Sequence, residues 1–202
     1  MTKGQPLHQS RAIVVLMHGR GRDTNDIMLL ADRINDPTLT YLAPAARDHS
    51  WYPASFLEPI EKNEPYLSDA LEVYDDIITG LLGQGIARQQ IVLAGFSQGA
   101  CLTAEYAVRH AGRYRGILLF TGGLIGPPGT RWEYAGSFDS TPILISGNIT
   151  DAWVPAWRLR ESAALFTRMD GLVVEQLYAG DSHLITDEEI AAARGILGTV
   201  AS

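Results

Sequence analysis

The chain has 202 residues and a formal net charge of −7, with 46% hydrophobic and 19% charged residues. That balance suits one domain across residues 1–202 with one sizeable core, and it excludes a general nucleic-acid binder, because neutralising phosphates takes clustered Lys and Arg. The single cysteine, Cys101, excludes an intrachain disulfide framework and a Cys-rich zinc site, and it agrees with a reducing compartment.

The opening "MTKGQPLHQSR" is polar and carries no apolar signal core. No apolar run reaches the roughly 18 residues of a membrane span, so the cytoplasm is the expected location, without integral membrane contact. Ala12 to Met17 is a short continuous apolar run, the mark of a strand buried on both faces. It ends in the loop "HGRGRD". Thr24 to Ile34 then has apolar residues at helical spacing, and "LTYLAP" gives a strand stopped by Pro44. From Pro65 a long amphipathic helix runs to Gly83. "QIVLAG" is a strand, followed by a helix to about His110 and by the strand "RGILLF". "TPILIS" precedes a helix from about Pro155 to Met169, and "LVVEQLY" precedes a last helix with a Thr186–Glu189 capping box. Strands alternating with helices predict a mostly parallel, twisted sheet covered on both faces. Two long irregular stretches, Ala43 to Glu64 and Thr121 to Thr141, are marked as functional loops.

Open parallel sheets bind ligands at the carboxyl ends of their strands. On that edge, Ile91 to Gly95 runs into Gly95-Phe96-Ser97-Gln98-Gly99, and a helix follows at once. A G-x-S-x-G corner strains the serine backbone and lifts its hydroxyl clear of the sheet, with the following helix pointing N–H groups at developing negative charge. The alternative is an ordinary strand–helix turn with the serine as N-cap, and what decides between the two is partners in the right order at the right kind of position. A serine nucleophile needs a base and an orienting acid. His8 is in the polar N-terminal segment, His49 in a long loop and His110 near a helix end, while His18 is placed to shape its glycine loop. His183 alone follows the last strong strand, on the same edge as Ser97.

The acid should follow the strand between serine and histidine. Asp151 does. Asp139 precedes that strand, Asp170 ends a helix, and Asp181 is too close in sequence to His183 for easy pairing. The oxyanion donors are then the N–H of Gln98, after the nucleophile, and the N–H of Arg20 in "HGRG". That loop lacks the Lys-Ser/Thr ending of a P-loop and the spacing of a dinucleotide fingerprint. Cys101, one helical turn after Ser97, reads as a small core residue. Trp51, Tyr52 and Phe56 divide between core and pocket, with the pocket reading preferred for Trp51, whereas Trp132, Trp153 and Trp157 sit near carboxyl-edge loops where packing is an equal explanation.

With "HGRG" at 18–21, "WYP" at 51–53, "GFSQG" at 95–99, "GGLIG" at 122–126, "DAWVP" at 151–155 and "SHLI" at 182–185, the chain resembles the phospholipase/carboxylesterase family of α/β hydrolases, the group containing acyl-protein thioesterases. The resemblance implies an α/β-hydrolase fold with no large cap domain. It also implies no cofactor and no metal, and cleavage of a small-molecule or lipid-like ester or thioester. It assigns Ser97, Asp151 and His183 as the catalytic set, with Arg20 and Gln98 as oxyanion donors. The loops around Trp51 and Leu124 are expected to bound an open substrate cleft. Two features depart from the family pattern. Arg20 stands where an apolar residue is common, which points to a more polar or acidic substrate. Gly147 lies four residues before Asp151, one more than the usual G-x-x-D. A binding module that keeps the fold without catalysis is the competing class, and a serine peptidase the weaker enzymatic one. The oligomeric state is left open, a homodimer included.

Overall fold

Strands that are apolar on both faces fold stably only when helices cover both, and the chain is organised around that requirement. The computed structural model describes residues 1–199. Its strands are β1 (Thr2–Gly4), β2 (Ala12–Met17), β3 (Leu39–Leu42), β4 (Ile91–Phe96), β5 (Gly116–Phe120), β6 (Pro142–Asn148) and β7 (Leu172–Tyr178). Its α-helices among the described residues are α1 (Thr24–Ile34), α2 (Tyr66–Gly83), α3 (Gln98–Arg109), α4 (Ala156–Arg168) and α5 (Asp187–Thr199). The strands form one sheet in the order β1-β3-β2-β4-β5-β6-β7, parallel except for β1.

Alternation along each strand divides the core in two. Ile13, Val15 and Met17 of β2 join the cluster under α2, α3 and α4, while Ala12, Val14 and Leu16 join the cluster under α1 and α5. The expected helices fall where their apolar spacing put them. In α2, Leu67, Ala70, Leu71, Tyr74, Ile78 and Leu81 are buried, with Ile77 half-buried at the edge of that stripe. The Thr186–Glu189 box caps α5, with Thr186 N–H donating to Glu189 Oε2 at 2.7 Å and Glu189 N–H donating to Thr186 Oγ1 at 3.2 Å.

One strand was not anticipated. β1 pairs antiparallel with β3, Thr2 opposite Leu42, yet its three residues are exposed and carry no apolar alternation. Pairing with the open edge of β3 makes it a strand.

The connectivity sets the site. From β2 the chain moves outward to β3, then returns across the sheet to β4 on the other side of β2. The loops leaving β2 and β4 therefore diverge above the sheet, and a crevice opens between them at the carboxyl edge. Among the described residues, no helix is long and apolar enough to cross a membrane.

Candidate active site

Ser97 sits between β4 and α3 with φ 54° and ψ −120°, a backbone region that costs a non-glycine residue on the order of 1–3 kcal/mol. The surroundings impose it. Ser97 N–H donates to Phe120 O at 3.0 Å, and Ser97 O accepts from Cys101 N–H at 3.0 Å. The flanking glycines let α3 settle onto the sheet. A Cβ at Gly95 would stand 2.4 Å from Gly99 O, and one at Gly99 would stand 2.2 Å from Met17 O.

His183, in the loop after β7, bridges two residues from other strands. Its Nδ1 lies 2.7 Å from Asp151 Oδ2 and its Nε2 lies 2.8 Å from Ser97 Oγ. A carboxylate only accepts, so Nδ1 carries the proton and the Nε2 lone pair faces the serine hydroxyl. Phe96 packs its ring 5.2 Å from the imidazole. Asp151 is held from its other side, because Oδ1 accepts from Trp153 N–H at 2.8 Å and Val154 N–H at 2.9 Å. The extra residue between Gly147 and Asp151 is taken up in a turn tied to the histidine loop. Thr150 donates to Gly180 O through both N–H and Oγ1, and Asn148 Nδ2 donates to Ser182 O at 2.6 Å. Asp181 is exposed and the histidine pairs with Asp151 instead.

The amides of Arg20 and Gln98 have no protein acceptor among the described residues. Gln98 begins α3, so its N–H is one of the donors a helix leaves unpaired at its start. His18 shapes the Arg20 loop as the sequence suggested. Its Nδ1–H donates to Gly19 O at 2.8 Å, and its Nε2 accepts from Ala46 N–H at 3.0 Å. Burial lowers its pKa below the usual histidine value, with the Gly19 hydrogen bond opposing.

The cleft beside Ser97 has a volume of about 470 Å³. Its apolar surface comes from Phe56, Phe96, Cys101 and Val154, together with Trp153, which is 72% exposed. Burial pushes the Cys101 thiol up to about 12, so it is a neutral, packed group.

Two expectations about this cleft need correction. Trp51 is 4% exposed and turns into the core, where its Nε1–H donates to His18 O at 2.8 Å. It supports the loop from beneath, while its neighbours Tyr52 to Phe56 form the wall. Leu124 is fully buried and outside the cleft lining. Its N–H donates to Ser162 Oγ and its carbonyl accepts from Arg158, so the 122–126 segment packs against α4.

Sequence reasoning missed the side chains that hold the wall. Gln98 Oε1 accepts from Trp51 N–H at 3.0 Å and its Nε2 donates to Tyr52 O at 2.7 Å. Arg20 donates to Pro53 O and Ala54 O at 2.7 and 2.6 Å. Asn63, fully buried, accepts from Ala54 N–H and donates to Ser55 O. Away from that wall, Arg158, also fully buried, lies 4.8 Å from the ring centres of both Trp132 and Trp157 and donates to Leu124 O. An asparagine and an arginine read as surface residues from sequence, and only their burial marks them.

A mostly parallel sheet covered on both faces, a serine at the strand-to-helix corner of its middle strand, and an acid and a histidine on later carboxyl-edge loops define an α/β hydrolase, with no large cap over the sheet among the described residues. Within that class, the chain matches the phospholipase/carboxylesterase family over residues 4–200, and it belongs to that family. It is 40% identical to a phospholipase/carboxylesterase from Dyadobacter fermentans, with a TM-score of 0.93 over 98% of this chain and 95% of that one. Acyl-protein thioesterase 1 of Eremothecium gossypii is 30% identical over 126 residues, 60% of this chain, and the match spans about half of that relative's length, 52%. A carboxylesterase from Mesorhizobium loti shares the fold at 22% identity, with a TM-score of 0.71 over 93% and 88% of the two chains. The family is one of esterase- and thioesterase-type hydrolases.

Proposed function

We propose that the chain is a serine hydrolase that cleaves a small or lipid-like carboxylic ester or thioester through an acyl-enzyme. The observation that carries this reading is the His183 ring, hydrogen-bonded at once to Ser97 and to Asp151 beside a strained, cleft-facing serine. His183 Nε2 takes the hydroxyl proton as Ser97 Oγ attacks the carbonyl carbon. The carbonyl oxygen becomes an oxyanion between the Arg20 and Gln98 amides, and the Asp151 carboxylate balances the imidazolium. As the tetrahedral intermediate collapses, His183 returns the proton to the departing alkoxide or thiolate. A water then gives its proton to His183 and attacks the acyl-serine. Its breakdown releases the carboxylic acid and restores the serine hydroxyl.

Donors placed for the oxyanion are worth on the order of 10²–10³ in rate each, so the two free amides are as central to the proposal as the side chains. A fluorophosphonate probe tests it, with mass mapping of the adduct. Labelling at Ser97 and its loss in Ser97→Ala are expected. A folded protein that stays unlabelled at Ser97 would make the chain a binding module.

A further inference from the structure

Arg20 and Arg22 both line the cleft that holds Ser97 and His183, and among the described residues no Asp or Glu lines it. In a chain of net charge −7, two cations on one cleft run against the overall field. How Arg20 is held matters more than the count. Its two terminal nitrogens donate to Pro53 O and Ala54 O, and the guanidinium lies 5.7 Å from the centre of the Tyr52 ring. Arg11, Arg33, Arg109 and Arg158 are each paired with a carboxylate. Among the described residues Arg20 meets only neutral acceptors. Two carbonyls and a ring face fix the plane of the guanidinium without cancelling its charge, and its remaining N–H groups stay available. Arg22 reaches Asp26 at 3.3 Å across an exposed pair, which water screens strongly. On the same wall, Ser55 Oγ accepts from Leu57 N–H at 3.2 Å, so its own O–H is left as a donor.

We propose that this cleft selects esters or thioesters carrying an anionic group, held by Arg20 with Arg22 and Ser55 completing the subsite. The proposal rests on the ester-hydrolase reading above. The division of the cleft fits such a substrate. Phe56, Phe96 and Val154 receive hydrocarbon near the reacting carbonyl, while the cationic rim meets the charge at the mouth, still in contact with water. Because Arg20 is exposed, the attraction is screened and falls with added salt.

The test compares kcat/KM for release of the phenol or phenol derivative from esters that carry or lack a charge, each ratio taken relative to the same ratio for base hydrolysis in buffer. One pair carries the anion on the leaving group, para-acetoxybenzoate against its methyl ester. The other carries it on the acyl side, monophenyl adipate against phenyl methyl adipate. Preference is read as a ratio within each protein, so a loss common to both substrates cancels. The wild-type chain should favour the anionic member of at least one pair by about tenfold, a modest charge-assisted contact, and high salt should shrink that ratio. Arg20→Gln should bring the ratio close to unity, Arg22→Gln should lower it in part, and Arg20→Lys should keep part of it. If Arg20→Gln does not fold, Arg22→Gln and the salt series on the wild-type protein still decide the matter. Neutral esters turned over with no anionic preference on either pair would overturn this proposal and leave the hydrolase reading standing. A preference that survives Arg20→Gln and Arg22→Gln together would overturn it equally. No turnover of any ester and no fluorophosphonate label would remove both readings.

Discussion

The Gln98 side chain holds the main chain on both sides of the Trp51–Tyr52 peptide, accepting from Trp51 N–H and donating to Tyr52 O. The residue that follows the serine thus has two distinct duties. Its backbone N–H is the oxyanion donor of the proposed mechanism, and its amide side chain carries the wall of the cleft 46 residues away in sequence.

Removing that clamp separates the duties. Gln98→Ala leaves the buried Trp51 N–H without a partner, which costs about 1–3 kcal/mol, while Tyr52 O keeps only its bond from Ser50 Oγ, so the 51–55 wall is loosened. Thermal unfolding should show the loss, and steady-state kinetics should show KM rising more than kcat falls. An unchanged Tm would mean that Asn63 and Arg20 hold the wall unaided.

Asp151 Oδ2 accepts from His183 Nδ1 at 2.7 Å, and in the proposed mechanism that bond, not Asp181, orients the imidazole. Asp151→Asn should lower kcat by on the order of 10³–10⁴, through loss of the tautomer that faces Nε2 toward Ser97. Asp181→Asn should change kcat little. A pH-controlled ester assay on both variants checks the pair, and the opposite ranking would move the orienting role to Asp181.

Strain at Ser97 can be measured apart from activity. Glycine adopts φ 54° freely, whereas alanine keeps the penalty of the serine backbone. Ser97→Gly and Ser97→Ala should both be inactive. The glycine variant should be the more stable by about 1 kcal/mol in urea unfolding, the strain relieved less the entropy cost of glycine. A glycine variant less stable than the alanine one by about 0.5–1 kcal/mol, the bare entropy cost of glycine, would show that the corner stores no strain.

His18 gives a pH dependence whose sign follows from its burial. Its folded-state pKa lies below the ordinary 6.5. Above pH 6.5 the ring is neutral in both states and its contribution is complete. As pH falls below that value, the unfolded chain takes up a proton that the folded chain refuses. Stability then drops by at most about 1.4 kcal/mol per pH unit until the folded pKa is reached. His18→Asn keeps a donor and an acceptor but does not titrate, so its stability difference from wild type should narrow as pH falls from 7 to 5. A constant difference would mean that His18 is protonated alike in both states.

Much of this molecule was legible along the chain because the signals are local. Continuous apolar runs mark strands buried on both faces, and β2 and β4 are buried at every position. Glycine spacing around Ser97 marks a corner because a Cβ at Gly95 would meet the backbone of Gly99, one helical turn further along the same corner. The order of Ser97, Asp151 and His183 along alternating strands and helices places all three on one edge. Loops carry no period, and what the sequence left undecided lies in them. Whether Trp51 or Tyr52 faces the cleft depends on Gln98, Arg20 and Asn63 meeting the same short backbone stretch from different parts of the chain. Leu124 turns inward because Ser162 and Arg158 of α4 take both of its backbone groups. Composition and spacing set the sheet, its cover and the edge where chemistry can occur, since those follow from burial and sterics within each element. Only the packed structure decides which side chains shape the cleft, because each of those directions is fixed by hydrogen bonds between residues that share no pattern in sequence.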